Sequence, residues 1–269
     1  MPIVEGNHFI YTVQPGDSLY AIAAKLGSAI QLLEQTNALY PPLTDPGLIY
    51  PGQVLVVSEA GLDQRAQVNH IVAPGDTLSQ IANRYATTPE LLAGINQRVY
   101  NPDLIFVNQA LLVPAAIYEI AEGESLNGIA RRLGLPLAAI IRANQGRPGF
   151  SPDVIYAGYR LILPLPSSPN AVVFSPQPGE LVRPGLAIEG FVRAPGGTAY
   201  YRIVDDAGEL VTRERTFRTL EAAPAFSYFS TIIQFDRQPT TSGGELWVYP
   251  RSPGTGIQDI VQVKIRFSD

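Results

Sequence analysis

The chain has 269 residues, a net charge of −5, no cysteine, and 24 each of glycine and proline. That length and turn content favour several small, loop-rich units over one large core. Absence of cysteine excludes disulfides and thiolate metal sites, and no basic run exists to form the cationic face of a nucleic-acid binder.

The first eight residues carry no basic n-region and no long apolar stretch. No secretory signal is visible there, and no segment of the chain is long enough to span a bilayer. Residues 10–13 are β-branched and aromatic, which suits a short strand. Pro15-Gly16 breaks it, and Asp17 or Ser18 offers a side-chain oxygen to cap a helix. Leu19, Ile22, Ala23 and Leu26 then fall at i, i+3, i+4 and i+7, one face of that helix. A second short helix carries Leu33, a turn-rich loop follows, and Gln53-Val54-Leu55-Val56 closes the unit as a strand. The order strand, helix, helix, strand lets the two strands pair antiparallel and receive both helices on one face.

The same unit returns twice. Ile71-Val72-Ala73-Pro74-Gly75-Asp76-Thr77-Leu78 repeats Tyr11-Thr12-Val13-Gln14-Pro15-Gly16-Asp17-Ser18-Leu19 in register, as does Tyr118-Glu119-Ile120-Ala121-Glu122-Gly123-Glu124-Ser125-Leu126. The helical face recurs as Leu78, Ile81, Ala82 and Tyr85, and as Leu126, Ile129, Ala130 and Leu133. An Asn follows each glycine by 21 residues: Asn37, Asn96 and Asn144. Asn readily bonds nearby backbone, so a structural role is favoured for all three. The copies occupy residues 8–58, 68–114 and 116–164.

This unit resembles the LysM domain. Glycine, acid, hydroxyl residue and leucine match the family's Gly-Asp-Ser/Thr-Leu motif in every copy, with Glu124 alone departing from Asp. The closing segment Leu48-Ile49-Tyr50-Pro51-Gly52-Gln53 matches too. The second copy departs at Val107-Asn108, where Pro-Gly is usual, so a different last turn is expected there. The resemblance implies binding of peptidoglycan, chitin and related N-acetylglucosamine polymers. It places the groove between the first strand–helix loop and the loop before the closing strand. In copy one this sets Gly16, Asp17, Ser18 and Leu19 against Asp45-Pro46-Gly47, Leu48 and Ile49. In copy two it sets Gly75, Asp76, Thr77 and Leu78 against Pro102-Asp103, Leu104 and Ile105. In copy three it sets Gly123, Glu124, Ser125 and Leu126 against Pro152-Asp153, Val154 and Ile155. The leucines are equally readable as core and the acids as caps. Tyr50, Phe106 and Tyr156 hold equivalent places and either flank the sugar or fill the core. Residues 115–168 carry five arginines, which suit either an anionic wall polymer or a solvated surface.

After the stiff Pro-rich stretch 163–170, helical periodicity ends. Short β runs at 171–174, 186–192, 200–205, 210–213, 226–235, 246–249 and 261–267 are separated by turn signals. Seven strands in about 100 residues predict a β-sandwich over 170–269. Ser175-Pro176-Gln177-Pro178-Gly179, Pro184-Gly185-Leu186 and Asp205-Asp206-Ala207-Gly208 resemble the immunoglobulin-like domain of bacterial spore-germination proteins. The fold class expected is thus α+β repeats, three βααβ units, followed by an all-β sandwich.

Catalysis is not expected. The two histidines, His8 and His70, each open a repeat, which leaves no Ser-His-Asp, Cys-His or His-rich zinc arrangement. Asp205, Asp206 and Glu209 straddle a hairpin turn, where exposed acids are ordinary. No cofactor is implied. The expected partners are a peptidoglycan or chitin-type glycan and, at the C-terminal domain, a protein. A scaffolding role, with the repeats docking the sandwich so that it recruits that protein, is the rival reading. Either implies a cell-envelope, extracellular or spore-associated setting.

Overall fold

The computed structural model describes residues 3–40, 44, 45, 47–59, 66–252, 256, 257 and 259–267. Pro46 of the first groove loop, residues 1 and 2, and residues 253–255, 258, 268 and 269 of the sandwich lie outside them. The chain forms two compact units. One comprises Met1–Tyr85, Asp103–Ile129 and Pro136–Pro164; the other comprises Ala86–Pro102, Ala130–Leu135 and Leu165–Asp269.

Each copy has the expected order. Copy one is β1 (Asn7–Thr12), α1 (Leu19–Leu26), α2 (Ile30–Thr36) and β2 (Val54–Ser58). Copy two is β3 (Gln67–Ile71), α3 (Leu78–Arg84), α4 (Pro89–Gly94) and β4 (Ala110–Leu112). Copy three is β5 (Ala115–Glu119), α5 (Leu126–Leu133), α6 (Leu137–Ala143) and β6 (Arg160–Pro164). The strands of each copy pair antiparallel, β1 with β2, β3 with β4 and β5 with β6.

The apolar periodicity buries as read. Leu19, Ile22 and Ala23 of α1, Leu78, Ile81 and Ala82 of α3, and Leu126, Ile129 and Ala130 of α5 are all buried. Burying one such leucine or isoleucine contributes about 1.5–3 kcal/mol. The hydroxyl residue, and not the acid, is the helix cap. Ser18 Oγ accepts from Ala21 N at 3.2 Å, Thr77 Oγ1 from Gln80 N at 3.2 Å, and Ser125 Oγ from Gly128 N at 3.1 Å. Thr77 adds a full capping box, because its own N–H donates to Gln80 Oε1 at 3.0 Å.

The asparagines are structural. Asn37 is fully buried and donates to Leu33 O at 2.8 Å and Val56 O at 2.7 Å, while accepting from Val56 N at 2.7 Å. Asn144 makes the same three bonds to Ile140 O, Ile162 O and Ile162 N at 2.8, 2.8 and 2.9 Å. In both, one amide ties the end of the second helix to the closing strand. A buried backbone group left unpaired there would cost about 1–3 kcal/mol.

The arrangement of copies one and two exceeds what their sequences announce. Their strands form one four-stranded sheet in the order β2-β1-β3-β4. Its centre is a parallel pair, β1 beside β3, in register from Asn7↔Gln67 to Ile10↔His70. The core of copy one accordingly takes in Ile71 of copy two with Tyr11, Leu19, Ile22, Leu33, Leu55 and Val57. Copies one and three are joined by Arg147, a buried guanidinium. It donates to Thr36 O and Asn37 Oδ1, each at 3.3 Å, to Asn144 Oδ1 at 3.2 Å and to Arg160 O. Its cationic carbon sits 4.9 Å over the Tyr159 ring.

The C-terminal region is a two-sheet sandwich. One sheet runs β13 (Ser227–Ile232), β10 (Ala187–Val192), β8 (Ala171–Ser175), β7 (Ser167–Ser168). The other runs β12 (Leu210–Arg218), β11 (Thr198–Asp205), β14 (Gly243–Ser252), β16 (Val261–Arg266), β9 (Glu180–Leu181). A short β15 (Gly256–Ile257) adds to β14. The seven expected runs are all present, although β12 and β14 extend further and β13 is shorter. The two-residue β7, β9 and β15 lack enough side chains to show a period of two. Alternation along β11 buries Ala199, Tyr201 and Ile203 and turns Tyr200 and Arg202 outward, where Tyr200 stacks on Tyr249 and Arg202 lies 3.9 Å over the Trp247 ring.

Candidate functional site

One local device shapes the first groove loop of every copy. The glycine takes a left-handed backbone, with φ of +88° at Gly16, +87° at Gly75 and +77° at Gly123. A Cβ there would meet nothing within 4 Å, so conformation and not space demands glycine. The next residue, the acid, folds back on the strand before it. Asp17 Oδ2 accepts from Tyr11 Oη at 2.8 Å and Gln14 N at 2.7 Å. Asp76 Oδ2 accepts from His70 Nε2 at 3.0 Å and Ala73 N at 2.8 Å. Glu124 accepts from Tyr118 Oη at 2.6 Å and Ala121 N at 2.8 Å. The longer Glu124 thus reaches the same two donors. The rule is a side-chain donor six residues earlier and a backbone donor three residues earlier.

The electrostatics follow. Burial and the Asp17 carboxylate together raise the Tyr11 hydroxyl to about 12, so it stays a donor at every ordinary pH. Burial of Asp76 opposes its ionisation, yet the bonds from His70 and Ala73 outweigh it and hold the carboxyl below its usual value. Because that carboxylate can only accept, His70 carries its proton on Nε2, and Nδ1 accepts from Tyr85 Oη at 3.0 Å.

The second groove loop ends in one common turn. Gly52 N donates to Val13 O at 2.9 Å, Asn108 N to Val72 O at 2.8 Å and Gly158 N to Ile120 O at 2.8 Å. Asn108 reaches this turn by adopting φ +68°, against +88° at Gly52 and +82° at Gly158. The expected departure at Val107-Asn108 therefore does not occur, since Asn is the non-glycine residue that best tolerates this region. Lys25 Nζ of copy one donates to Asn108 Oδ1 at 2.7 Å.

In copy three the two loops enclose a cavity of about 520 Å³. Its lining comprises Glu124, Ser125, Leu126, Asn127, Leu137, Ile141, Pro152, Asp153, Val154 and Ile155. The expected residues Glu124, Ser125, Leu126, Val154 and Ile155 are brought together there, whereas Gly123 shapes the loop without lining it. Asn127, Leu137 and Ile141 were not anticipated. Their signal was available in the helical period, because Asn127 follows Leu126 at the start of α5, and Leu137 and Ile141 stand four apart on one face of α6. In copy one Ile49 packs on the core that holds Leu19, and Leu48 is exposed. In copy two Leu78 is buried and Leu104 exposed, with Ile105 between these extremes. Tyr50, Phe106 and Tyr156 are 56, 68 and 43% exposed, which removes the core-filling reading for all three.

None of the five arginines of copy three lines its cavity. Arg147 is buried, Arg160 pairs with Glu119 at 3.1 Å, Arg142 bonds Asn83 at 3.1 Å, and Arg131 and Arg132 lie on the open face of α5.

The remaining chemistry-bearing groups are occupied. His8 Nδ1 is 3.0 Å from Ser58 Oγ, and Nε2 is 3.1 Å from Val4 O. This serine–histidine pair is buried between β1 and β2, and burial lowers the His8 pKa. Asp205 is buried too and locks its turn, accepting from Thr240 Oγ1 at 2.6 Å, Thr240 N at 2.8 Å and Glu209 N at 2.9 Å. Asp206 pairs with Lys264 at 3.2 Å. Among the described residues no group of three or more His, Cys, Asp or Glu is placed to hold a metal, and no helix is long and apolar enough to cross a membrane.

Comparison with known proteins adds to this geometry. The LysM domain model matches residues 11–58, 70–114 and 118–164. The immunoglobulin-like domain of bacterial spore germination matches residues 170–257. The chain is 32% identical over 176 residues to the N-acetylmuramoyl-L-alanine amidase sle1 of Staphylococcus epidermidis, an alignment covering 57% of this chain and 50% of the amidase. It is 28% identical over 178 residues to the secreted LysM effector ECP6 of Passalora fulva, covering 57% and 76% of the two chains. Among solved structures, the Bacillus cereus spore cortex-lytic enzyme SleL is 33% identical over 40% of this chain and 23% of its own, with a TM-score of 0.28. The chain spans half the length of the amidase it matches.

Proposed function

The chain belongs to the LysM family and carries an immunoglobulin-like domain of the bacterial spore-germination type, and from this premise we propose that it binds N-acetylglucosamine-containing glycans without cleaving them. The observation that carries the reading is the cavity of copy three. Its floor is apolar, from Leu126, Leu137, Ile141 and Ile155, and its rim is polar, from Ser125, Asn127 and Asp153. That division suits an N-acetyl sugar. The acetamide methyl covers apolar side chains, while hydroxyls and the amide find loop backbone and rim side chains. Gly16, Asp17, Ser18, Leu19, Leu48 and Ile49 build the equivalent groove in copy one, and Gly75, Asp76, Thr77, Leu78, Leu104 and Ile105 in copy two. In each, the acid acts by holding the loop and the leucine by flooring it.

Peptidoglycan and chitin-type polymers are the glycans of this reading. The setting is a bacterial cell wall or spore surface, where the repeats anchor the sandwich domain. The lack of catalysis rests on the occupied groups. His8–Ser58 is sealed in a sheet, His70 is committed to Asp76 and Tyr85, and Asp205 to its turn. The sandwich serves as a protein-contact module. Supporting this, among the described residues β13 ends its sheet and pairs with β10 alone, and it carries the exposed Tyr228 and Ile232.

The test is co-sedimentation of the whole chain with insoluble peptidoglycan and with chitin. Retention is expected on both, with no soluble sugar or peptide released. The triple variant L48D, L104D and V154D places charge at three exposed groove positions and should stay folded but remain in the supernatant. Undiminished retention of that variant, or no retention of the parent on either polymer, sinks the reading.

A further inference from the structure

Resting on the glycan reading above, we propose that the third groove selects its sugars by charge. It takes a stretch in which an N-acetylated residue adjoins a free amino sugar, and it rejects carboxylate-bearing sugars.

The inference starts from what lines the cavity. Two carboxylates do, Glu124 and Asp153, and among the described residues no lysine or arginine does. Glu124 is held by the Tyr118 hydroxyl and the Ala121 N–H, which fixes its position on the groove wall. Asp153 differs. It is exposed on the rim and makes no hydrogen bond or ion pair among the described residues. Two arginines of the copy are engaged elsewhere. The Arg147 guanidinium is buried against carbonyl and amide oxygens, and Arg160 is drawn to Glu119.

A sugar carboxylate entering this groove meets the like charge of Asp153, with no lost solvation returned. An ammonium on a de-N-acetylated residue meets the unpartnered Asp153 instead. The neighbouring N-acetyl group still places its methyl on Leu126 and Ile155. An exposed ion pair is weak, so the preference for the cationic over the neutral glycan is about two- to fivefold at low salt. It fades as salt screens it. The copies provide an internal contrast. Asp103 stands at the corresponding position in copy two, whereas copy one has Gly47 there. Copy one, which has no acid at this position although Asp17 and Asp45 lie in its groove loops, should therefore discriminate less by the sugar's charge than copy three.

The experiment uses the full chain with methyl NMR, following Leu126, Val154 and Ile155 separately from Leu48 and Ile49. Three chitin-type oligomers of equal length are titrated at mildly acidic pH and low salt: fully N-acetylated, partly de-N-acetylated, and oxidised to a carboxylate at C6. The expected order at the third groove is cationic tightest, neutral next, anionic weakest. The order should collapse in D153N, whose folding is not at risk because Asp153 has no partner to lose. Equal affinity for all three oligomers, or an order unchanged in D153N, overturns the charge selection while leaving glycan binding standing. If no oligomer moves the third-groove methyls, the glycan reading of that groove falls and the charge selection with it.

Discussion

Nε2 of His70 lies 3.0 Å from Oδ2 of Asp76, in the place where the first copy has Tyr11 on Asp17 and the third has Tyr118 on Glu124. The second copy thus holds its groove loop with an imidazole where its sisters use a phenol. Replacing His70 by Phe leaves Asp76 with one backbone donor and removes the acceptor of the buried Tyr85 hydroxyl. A loss of about 1–3 kcal/mol is expected in urea denaturation. H70F as stable as the parent would show that the lock contributes nothing.

The Asp76 lock also sets a pH dependence. Its folded pKa lies below the unfolded one, the bonds from His70 and Ala73 overcoming the opposing effect of burial. A depressed carboxylate contributes stability that is full above the unfolded pKa, about 3.9, and is lost as pH falls through the folded value. D76N should therefore be less stable than the parent by a constant amount from about pH 5 to 7, with the gap closing below about pH 4. The D76N curve should keep part of its acid limb. Asp205, held low by Thr240, and Asp236, held low by the Arg213 N–H, titrate in the same range. Midpoints measured across that range decide the point, and a gap that widens on acidification refutes it.

Arg147 bonds Asn37 and Thr36 of the first copy and Asn144 of the third from one buried position. Burial pulls its pKa down, but an arginine remains charged. R147A should cost about 1–3 kcal/mol through the acceptors it strands. R147K, whose single ammonium cannot span both asparagines, should recover less than half of that. A denaturation midpoint unmoved in R147A would remove this bridge from the account.

The parallel pair β1–β3 makes copy one incomplete by itself. Residues 1–58 alone leave the β1 edge open and lose Ile71 from their core. Such a fragment should show no cooperative thermal transition, whereas residues 1–168 should unfold with one. A sharp transition for 1–58 would mean that the shared sheet is not needed.

Tyr156 is exposed beside the third cavity, so Y156A should change stability by less than about 0.5 kcal/mol. Retention on glycan polymer should fall several-fold if the ring flanks the sugar, as its first-copy and second-copy counterparts Tyr50 and Phe106 also would. Retention equal to the parent's at matched stability removes the aromatic from the site.

What the sequence determined by itself was everything set within about 25 consecutive residues. Gly16, Gly75 and Gly123 announce a left-handed turn, the acid or hydroxyl residue after each a cap, and Leu19, Leu78 and Leu126 the start of a buried helical face; the structure chose the hydroxyl. These signals are local, since a positive φ, an N-cap and a 3.6-residue period are each written in neighbouring side chains. The partner of each acid was also within reach, six residues upstream, but only geometry shows that a Tyr or His there bends back to meet it. The parallel join of β1 and β3 was decided by tertiary structure, because a strand's alternation specifies which face is buried and not which strand lies alongside. The burial of Arg147 was decided in the same way: by composition it is one of five arginines in a polar repeat, and only the packing of copy three on copy one brings the oxygens of Thr36, Asn37, Asn144 and Arg160 around its two terminal nitrogens. The exposure of Tyr50, Phe106 and Tyr156 belongs with these, since an aromatic in a loop without periodicity carries no indication of the side it faces.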